Sequence, residues 1–73
     1  MNRRDYIISQ IVGAIKELFN KDLDIDFEKF VYKVCYEYKS SRRTSMEYIM
    51  TALSQFDYRI INIDGTKYIS KGL

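Results

Sequence analysis

Apolar residues recur at helical spacing in three stretches of the chain, and the first stretch is the longest. Residues 4–19 place apolar side chains over about 160° of a helix, at about 100° per residue, with polar side chains opposite. This pattern predicts a helix whose apolar stripe is wider than one packing contact requires. The stripe consists of Ile7, Ile8, Ile11, Val12, Ala14, Ile15, Leu18 and Phe19.

A second helix is predicted over residues 27–38. Asp26 precedes it and is a good N-cap, because its carboxylate can accept hydrogen bonds from the free amides of the first turn. Residues 23–25, just upstream, alternate apolar and acidic side chains, a pattern that predicts a very short strand or an extended linker. The apolar face of this helix is formed by Phe27, Phe30, Val31, Val34 and Tyr38.

A third helix is predicted to extend to about Phe56. Thr44 and Glu47 fit a capping box, in which the hydroxyl accepts from a backbone amide and the glutamate reaches back to the cap. Ser41 is an alternative cap. The predicted buried face consists of Met46, Ile49, Met50, Leu53 and Phe56.

The pattern changes after the third helix to β-branched and aromatic residues over 58–63 and 66–70. Asp64-Gly65 between them is a two-residue signal for a type I′ hairpin. Such a turn sets the register of the hairpin, and both of its faces are apolar near the base, so either face can pack on the helices. The predicted pairs are Ile63 with Thr66, Ile61 with Tyr68, and Ile60 with Ile69.

The order of helix, short strand, helix, helix and hairpin resembles the winged helix-turn-helix family over nearly the whole chain. The resemblance is carried by residues 40–44, 46–53 and 60–69. It implies one α+β domain over residues 1–73, with the third helix in the DNA major groove and the hairpin wing on the backbone or the minor groove. In its size and its richness in Ile, Tyr and Lys, the chain is also similar to compact winged-helix proteins of archaeal viruses and plasmids.

The charge distribution agrees with a polyanionic partner. The net charge is only +2. Residues 39–73 carry six basic side chains against three acidic ones, whereas residues 20–38 carry three basic against five acidic. Positive charge therefore gathers in the C-terminal half, where the DNA-contacting elements are expected.

Ten residues are expected to contact DNA. Arginines at the start of the third helix suit phosphate, because a guanidinium binds it bidentately and a helix N-terminus attracts anions. Hydroxyl, amide and carboxylate side chains on the polar face of that helix suit base edges, and an exposed tyrosine there is available to a partner. Polar residues at the wing tip complete the set; the alternative for each residue is an ordinary solvated surface. The ten are Arg42, Arg43, Thr44, Glu47, Tyr48, Thr51, Gln55, Asn62, Thr66 and Lys67.

The composition argues against an enzyme. The chain has no histidine, one cysteine and three glycines, so it lacks the residues for a thiolate zinc site or a glycine-rich phosphate loop. We therefore expect no metal, cofactor or small-molecule ligand. With only Cys35, no signal-peptide pattern and no long apolar run, we expect a cytoplasmic protein with no membrane partner.

The expected function is that of a sequence-specific regulator that binds double-stranded DNA, as a homodimer formed through the wide stripe of the first helix. Tyr32 and Tyr36, four residues apart on the second helix, are a second candidate dimer patch; their alternative is a local aromatic pair covered by lysine stems. The alternative function is a winged-helix adaptor that binds protein and not DNA.

Overall fold

The structure of the chain is a computed structural model that describes residues 2–71. Three helices precede a C-terminal hairpin, and a two-residue strand lies between the first two helices, so the predicted α+β class is confirmed. Among these residues, no helix has the length and hydropathy needed to cross a lipid bilayer. In chain order the elements are α1 (Arg3–Asn20), β1 (Ile25–Asp26), α2 (Phe27–Tyr38), α3 (Arg42–Gln55), β2 (Arg59–Ile63) and β3 (Thr66–Ser70).

The apolar stripe of α1 is used inside the chain. The helix starts after Asn2, whose side chain accepts from the Asp5 amide at 2.8 Å. It packs chiefly on α3, and its flanking apolar side chains are half-buried against the same core. The width of the stripe, which suggested a dimer interface on this helix, is thus explained by packing within one chain. Its buried residues are Ile7, Ile8, Ile11, Val12 and Ile15.

Helix α2 begins and ends where the sequence predicts. The Asp26 carboxylate accepts from the Lys29 amide at 3.1 Å, which confirms it as the N-cap. Lys39 ends the helix with φ 54°, in the left-handed region, and its amide donates to the Cys35 carbonyl. The chain can therefore turn sharply into α3 within three residues. The buried residues of α2 are Phe27, Phe30, Val31 and Val34, while Tyr38 is half-buried.

The predicted start of α3 is wrong by one turn. Ser41, the alternative cap, is the N-cap, and its hydroxyl accepts from the Thr44 amide at 3.1 Å. The capping box at Thr44 and Glu47 does not form because the helix has already begun. Serine caps at least as well as threonine, and arginine has a high helix propensity, so the earlier start is favoured locally. Arg42 and Arg43 consequently form the first turn of α3.

The buried side of α3 is rotated from the predicted one. Ser45 has an exposed fraction of 0%, while Met50, predicted to be buried, is 47% exposed, and Phe56 is 41% exposed. Ser45 and Ala52 are small, so this side of α3 is able to pack closely against the other helices. Met46 lies at the boundary, half-buried. The buried residues of α3 are Ser45, Ile49, Ala52 and Leu53.

The strands form one antiparallel sheet in the order β1-β3-β2. The predicted hairpin register is confirmed in all three pairs, and Asp64 and Gly65 have φ values of 51° and 85°, as a type I′ turn requires. The third strand covers Ile25–Asp26 rather than residues 23–25, because only these two residues pair with β3. One face of the sheet joins the helical core through Ile25, Ile60 and Ile69.

Candidate nucleic-acid interface

The solvent-facing side of α3 is centred on Arg43, Glu47, Met50 and Ser54, all of which are exposed. Met50 and Ser54 are absent from the sequence prediction because the apolar periodicity assigns the methionines to the core side. The signal that was available is the pair of small residues, Ser45 and Ala52, seven positions apart on one side of the helix. Of the predicted contact residues on α3, Arg42, Arg43, Glu47 and Gln55 are exposed, whereas Thr44, Tyr48 and Thr51 are half-buried.

Tyr48 does not stand free on the helix surface. It is half-buried and packs against the core, so the expectation of an exposed aromatic there is wrong. Tyr48 lies at the border between the buried and the exposed side of α3. Its ring therefore contributes to packing, even if its hydroxyl contacts a partner.

Thr51 and Gln55 lie beside α1 rather than at the centre of the exposed side. Together with Arg4 and Asp5 they line a shallow depression between the two helices. The Thr51 hydroxyl donates to the Glu47 carbonyl at 2.9 Å, so its proton is already used within the helix. Any ligand that reaches these residues must also pass the start of α1.

Arg42 is held by an acidic residue of α2. One of its terminal nitrogens, Nη2, lies 2.8 Å from Glu28 Oε2 and 3.0 Å from Glu28 Oε1. Both side chains remain about half exposed. Arg43, in contrast, is exposed and forms no ion pair with any residue in the range 2–71. The two neighbouring arginines, predicted as equivalent, are therefore electrostatically different.

A second ion pair crosses from α1 to α3. Arg4 lies 3.8 Å from Glu47 and 3.8 Å from Asp5. Exposed pairs at this separation contribute about 0–1 kcal/mol, so Glu47 remains free to exchange Arg4 for another donor.

The hairpin tip lies next to the N-terminus of α2. Asp26 and Glu28 line one shallow depression together with the tip residues Gly65, Thr66 and Lys67. Glu28 also holds Arg42, so the start of α3 and the hairpin tip lie on the same side of the molecule.

The three residues predicted to contact DNA from the hairpin differ in how much of each side chain is free to bind a partner. The Asn62 side-chain oxygen accepts from the Gly65 amide at 3.0 Å, which stabilises the turn and occupies that oxygen. Thr66 is half-buried, whereas Lys67 is exposed. Lys67 is thus an exposed positive charge beside the hairpin turn, and it is able to attract an anion.

The outer surface of α3 also has an apolar part. A shallow depression there is lined by Arg42, Arg43, Met46, Glu47 and Met50. Methionine side chains are flexible and polarisable, and they adapt to different partners. This surface therefore combines arginine charge with an apolar floor.

Comparison with protein-family models, with curated proteins and with solved structures finds no match to this chain.

Proposed function

We propose that this chain is a winged-helix domain that binds double-stranded DNA through the exposed side of α3 and has no catalytic activity. The observation that carries the proposal is the double role of Glu28. This residue contacts Arg42 at the start of α3 and lines the depression at the hairpin tip, so a helix and a hairpin are presented together on one side. Those are the two elements with which a winged helix approaches a duplex.

Phosphate contacts fall to the residues that carry unpaired positive charge. Arg43 lies in the first turn of α3, where the free amides of the helix N-terminus add to its attraction for an anion. Lys67 supplies a second positive charge at the hairpin tip. Such contacts supply affinity and register on the duplex but carry little sequence information.

Base discrimination falls to polar side chains along α3. Gln55 suits adenine, and Glu47 suits the amino group of cytosine once it leaves Arg4. Ser54, at the centre of the exposed side, donates its hydroxyl proton to the Thr51 carbonyl at 2.7 Å, so it offers a base edge only an acceptor. Specific regulation of transcription would follow from contacts of this kind.

The test is a DNA titration at several salt concentrations with matched variants. Arg43→Ala is expected to weaken binding to all duplexes and to flatten the slope of log affinity against log salt by about 0.9, because one phosphate is no longer neutralised. Lys21→Ala removes the same charge at the end of α1 and serves as the control, with little effect expected. Gln55→Ala is expected to narrow the gap between cognate and random DNA by about 1–3 kcal/mol.

The outcome that contradicts the proposal is specific. If Arg43→Ala binds DNA with the affinity and salt slope of the parent, α3 does not contact phosphate. The same conclusion follows if Lys21→Ala and Arg43→Ala lose equal affinity. Circular dichroism of each variant verifies that the fold is intact.

A protein-binding adaptor is the second candidate, and Met50 favours it. A methionine that is 47% exposed at the centre of the outer side of α3 suits an apolar partner better than a phosphate backbone. A parent protein that binds duplex DNA no better than an unrelated protein of similar charge would make this the leading function.

A further inference from the structure

The outer face of the sheet is apolar and open. Ile61 is 39% exposed and Ile63 is 52% exposed, both on the face turned away from the helical core. They line a shallow groove with Leu23, Tyr68 and other residues. Nothing within residues 2–71 covers it.

Strand β2 is also an edge of the sheet, since β3 lies in the middle. In a hairpin with a two-residue turn, the residues that flank the turn exchange hydrogen bonds, and such pairs alternate along the ladder. Ile63 and Thr66 flank this turn. The backbone N–H and C=O groups therefore point to β3 at Ile63, Ile61 and Arg59. At Ile60 and Asn62 they point to the free edge.

Natural edge strands are usually protected by lysine, proline or a bulge. Residues 59–63 contain neither lysine nor proline, and their only charge is Arg59 at the first position. The strand is thus an unprotected edge with two exposed isoleucines, which favours pairing with another strand.

We infer that β2 pairs with β2 of a second copy of this chain, antiparallel and about a twofold axis. Opposite residues in such a pair must lie on the same face of the sheet. One register overlaps all five residues of both strands, and it places Ile61 opposite Ile61 of the second copy. Ile60 then exchanges hydrogen bonds with Asn62 of the second copy, using the backbone groups that face the free edge.

The charge of the strand is compatible with this register. Arg59 comes opposite Ile63 of the second copy, on the same face of the sheet. The centre of the pair is apolar, and the two arginines lie at opposite ends of it, so no like charges meet. The outer faces of the two sheets merge into one apolar surface.

The competing surfaces on the chain are less suitable. The stripe of α1 is buried within one copy. Tyr32 and Tyr36 are exposed on α2, but a lysine lies over one of them: Lys39 Nζ is 4.8 Å from the Tyr36 ring centroid. Two copies meeting there would bring like charges together.

The first test is disulfide cross-linking in a Cys35→Ser background. Opposite residues in a pair that does not exchange hydrogen bonds have Cα atoms about 4.5 Å apart, within the range of about 4.4–6.8 Å that a disulfide needs. Ile61→Cys is therefore expected to give a cross-linked dimer on oxidation. Ile63→Cys is the matched control, because the two copies of residue 63 would lie about 14 Å apart along the strands. Equal cross-linking of both variants, or none with Ile61→Cys, overturns the proposal.

The second test is sedimentation at high micromolar concentration, since a five-residue strand pair is small beside stable interfaces of about 1,200–2,000 Å². We expect the parent to dimerise, Ile61→Lys to be monomeric, and Tyr32→Lys to dimerise like the parent. A monomeric parent overturns the proposal. So does a Tyr32→Lys variant that dissociates while Ile61→Lys remains dimeric, which would place the interface on α2. Neither test depends on DNA binding.

Discussion

Glu28 Oε2 lies 2.8 Å from Arg42 Nη2, so an acidic residue of α2 neutralises the first arginine of α3. The pair lies between the helix start and the hairpin tip, where the proposed DNA contact is made. Glu28 therefore lowers the positive potential of that surface, and Arg42 must leave it before meeting a phosphate.

Glu28→Gln is expected to raise affinity for all duplexes. It frees Arg42 for one more phosphate, so the slope of log affinity against log salt should steepen by about 0.9. The control is Glu37→Gln, which makes the same charge change at the other end of α2. Fluorescence anisotropy at several salt concentrations measures both. Equal gains in the two variants would mean that only net charge matters and that the pair has no local role.

The corrected N-cap of α3 has a measurable consequence. Ser41→Ala removes the hydroxyl that accepts from the Thr44 amide, and the free energy of unfolding should fall by about 0.5–2 kcal/mol. Thr44→Ala should cost less, because the Thr44 side chain only accepts from the Ser41 hydroxyl. Urea unfolding followed by circular dichroism compares them. If Thr44→Ala lost more unfolding free energy than Ser41→Ala, the capping box at Thr44 and Glu47 would be the true start of the helix.

A hydrogen-bonded pair of hydroxyls, buried at Ser45 and half-buried at Ser40, joins α3 to the turn that precedes it. The side-chain oxygens of Ser45 and Ser40 lie 2.7 Å apart, and Ser45 has an exposed fraction of 0%. Ser45→Ala should lower the free energy of unfolding by about 0.5–1.5 kcal/mol, because the hydroxyl of Ser40 loses its partner. Ser54→Ala, at an exposed position of the same helix, is the control. Equal effects of the two substitutions in urea unfolding would show that the hydrogen bond between Ser40 and Ser45 contributes nothing of its own.

Burial raises the pKa of the Tyr38 phenol above its usual value of 10.0. The Glu37 carboxylate and, to a smaller extent, the Tyr6 phenol raise it further. The folded chain thus holds this proton more tightly than the unfolded one. The resulting stability is fully present below the unfolded pKa and is lost as the pH rises through the folded pKa. Tyr38→Phe should therefore lose less unfolding free energy than the parent at alkaline pH, as measured by urea unfolding across this range. Tyr32→Phe, at an exposed position, should behave like the parent.

The parts of the fold that local chemistry decides were predicted from the sequence. Asp26 caps α2 because a carboxylate before an apolar helix satisfies its first amides, and Asp64-Gly65 sets the hairpin register through its positive φ values. The start of α3 was not decided in this way, since Ser41 and Thr44 are both acceptable caps. The preference for serine over threonine and the helix propensity of the two arginines favour Ser41, but both differences are small.

The exposure of the candidate residues was predicted less well than the fold, because it depends on contacts between helices. A helical wheel places Met50 with the apolar side chains, but the side of α3 that is buried carries Ser45, and Met50 remains 47% exposed. The pairing of Arg42 joins residues fourteen positions apart, and no periodicity in the sequence relates Glu28 to it. Tertiary packing thus decides which polar groups remain available.

The left-handed conformation of Lys39 restricts what the chain can carry at that position. A side chain with φ 54° crowds the following carbonyl, at a cost of about 1–2 kcal/mol that glycine avoids. A saturation library at position 39 should therefore retain glycine and asparagine and lose valine, isoleucine and proline. Few residue types are therefore compatible with the short connection between α2 and α3. The relative placement of these two helices tolerates fewer substitutions than the surface they present.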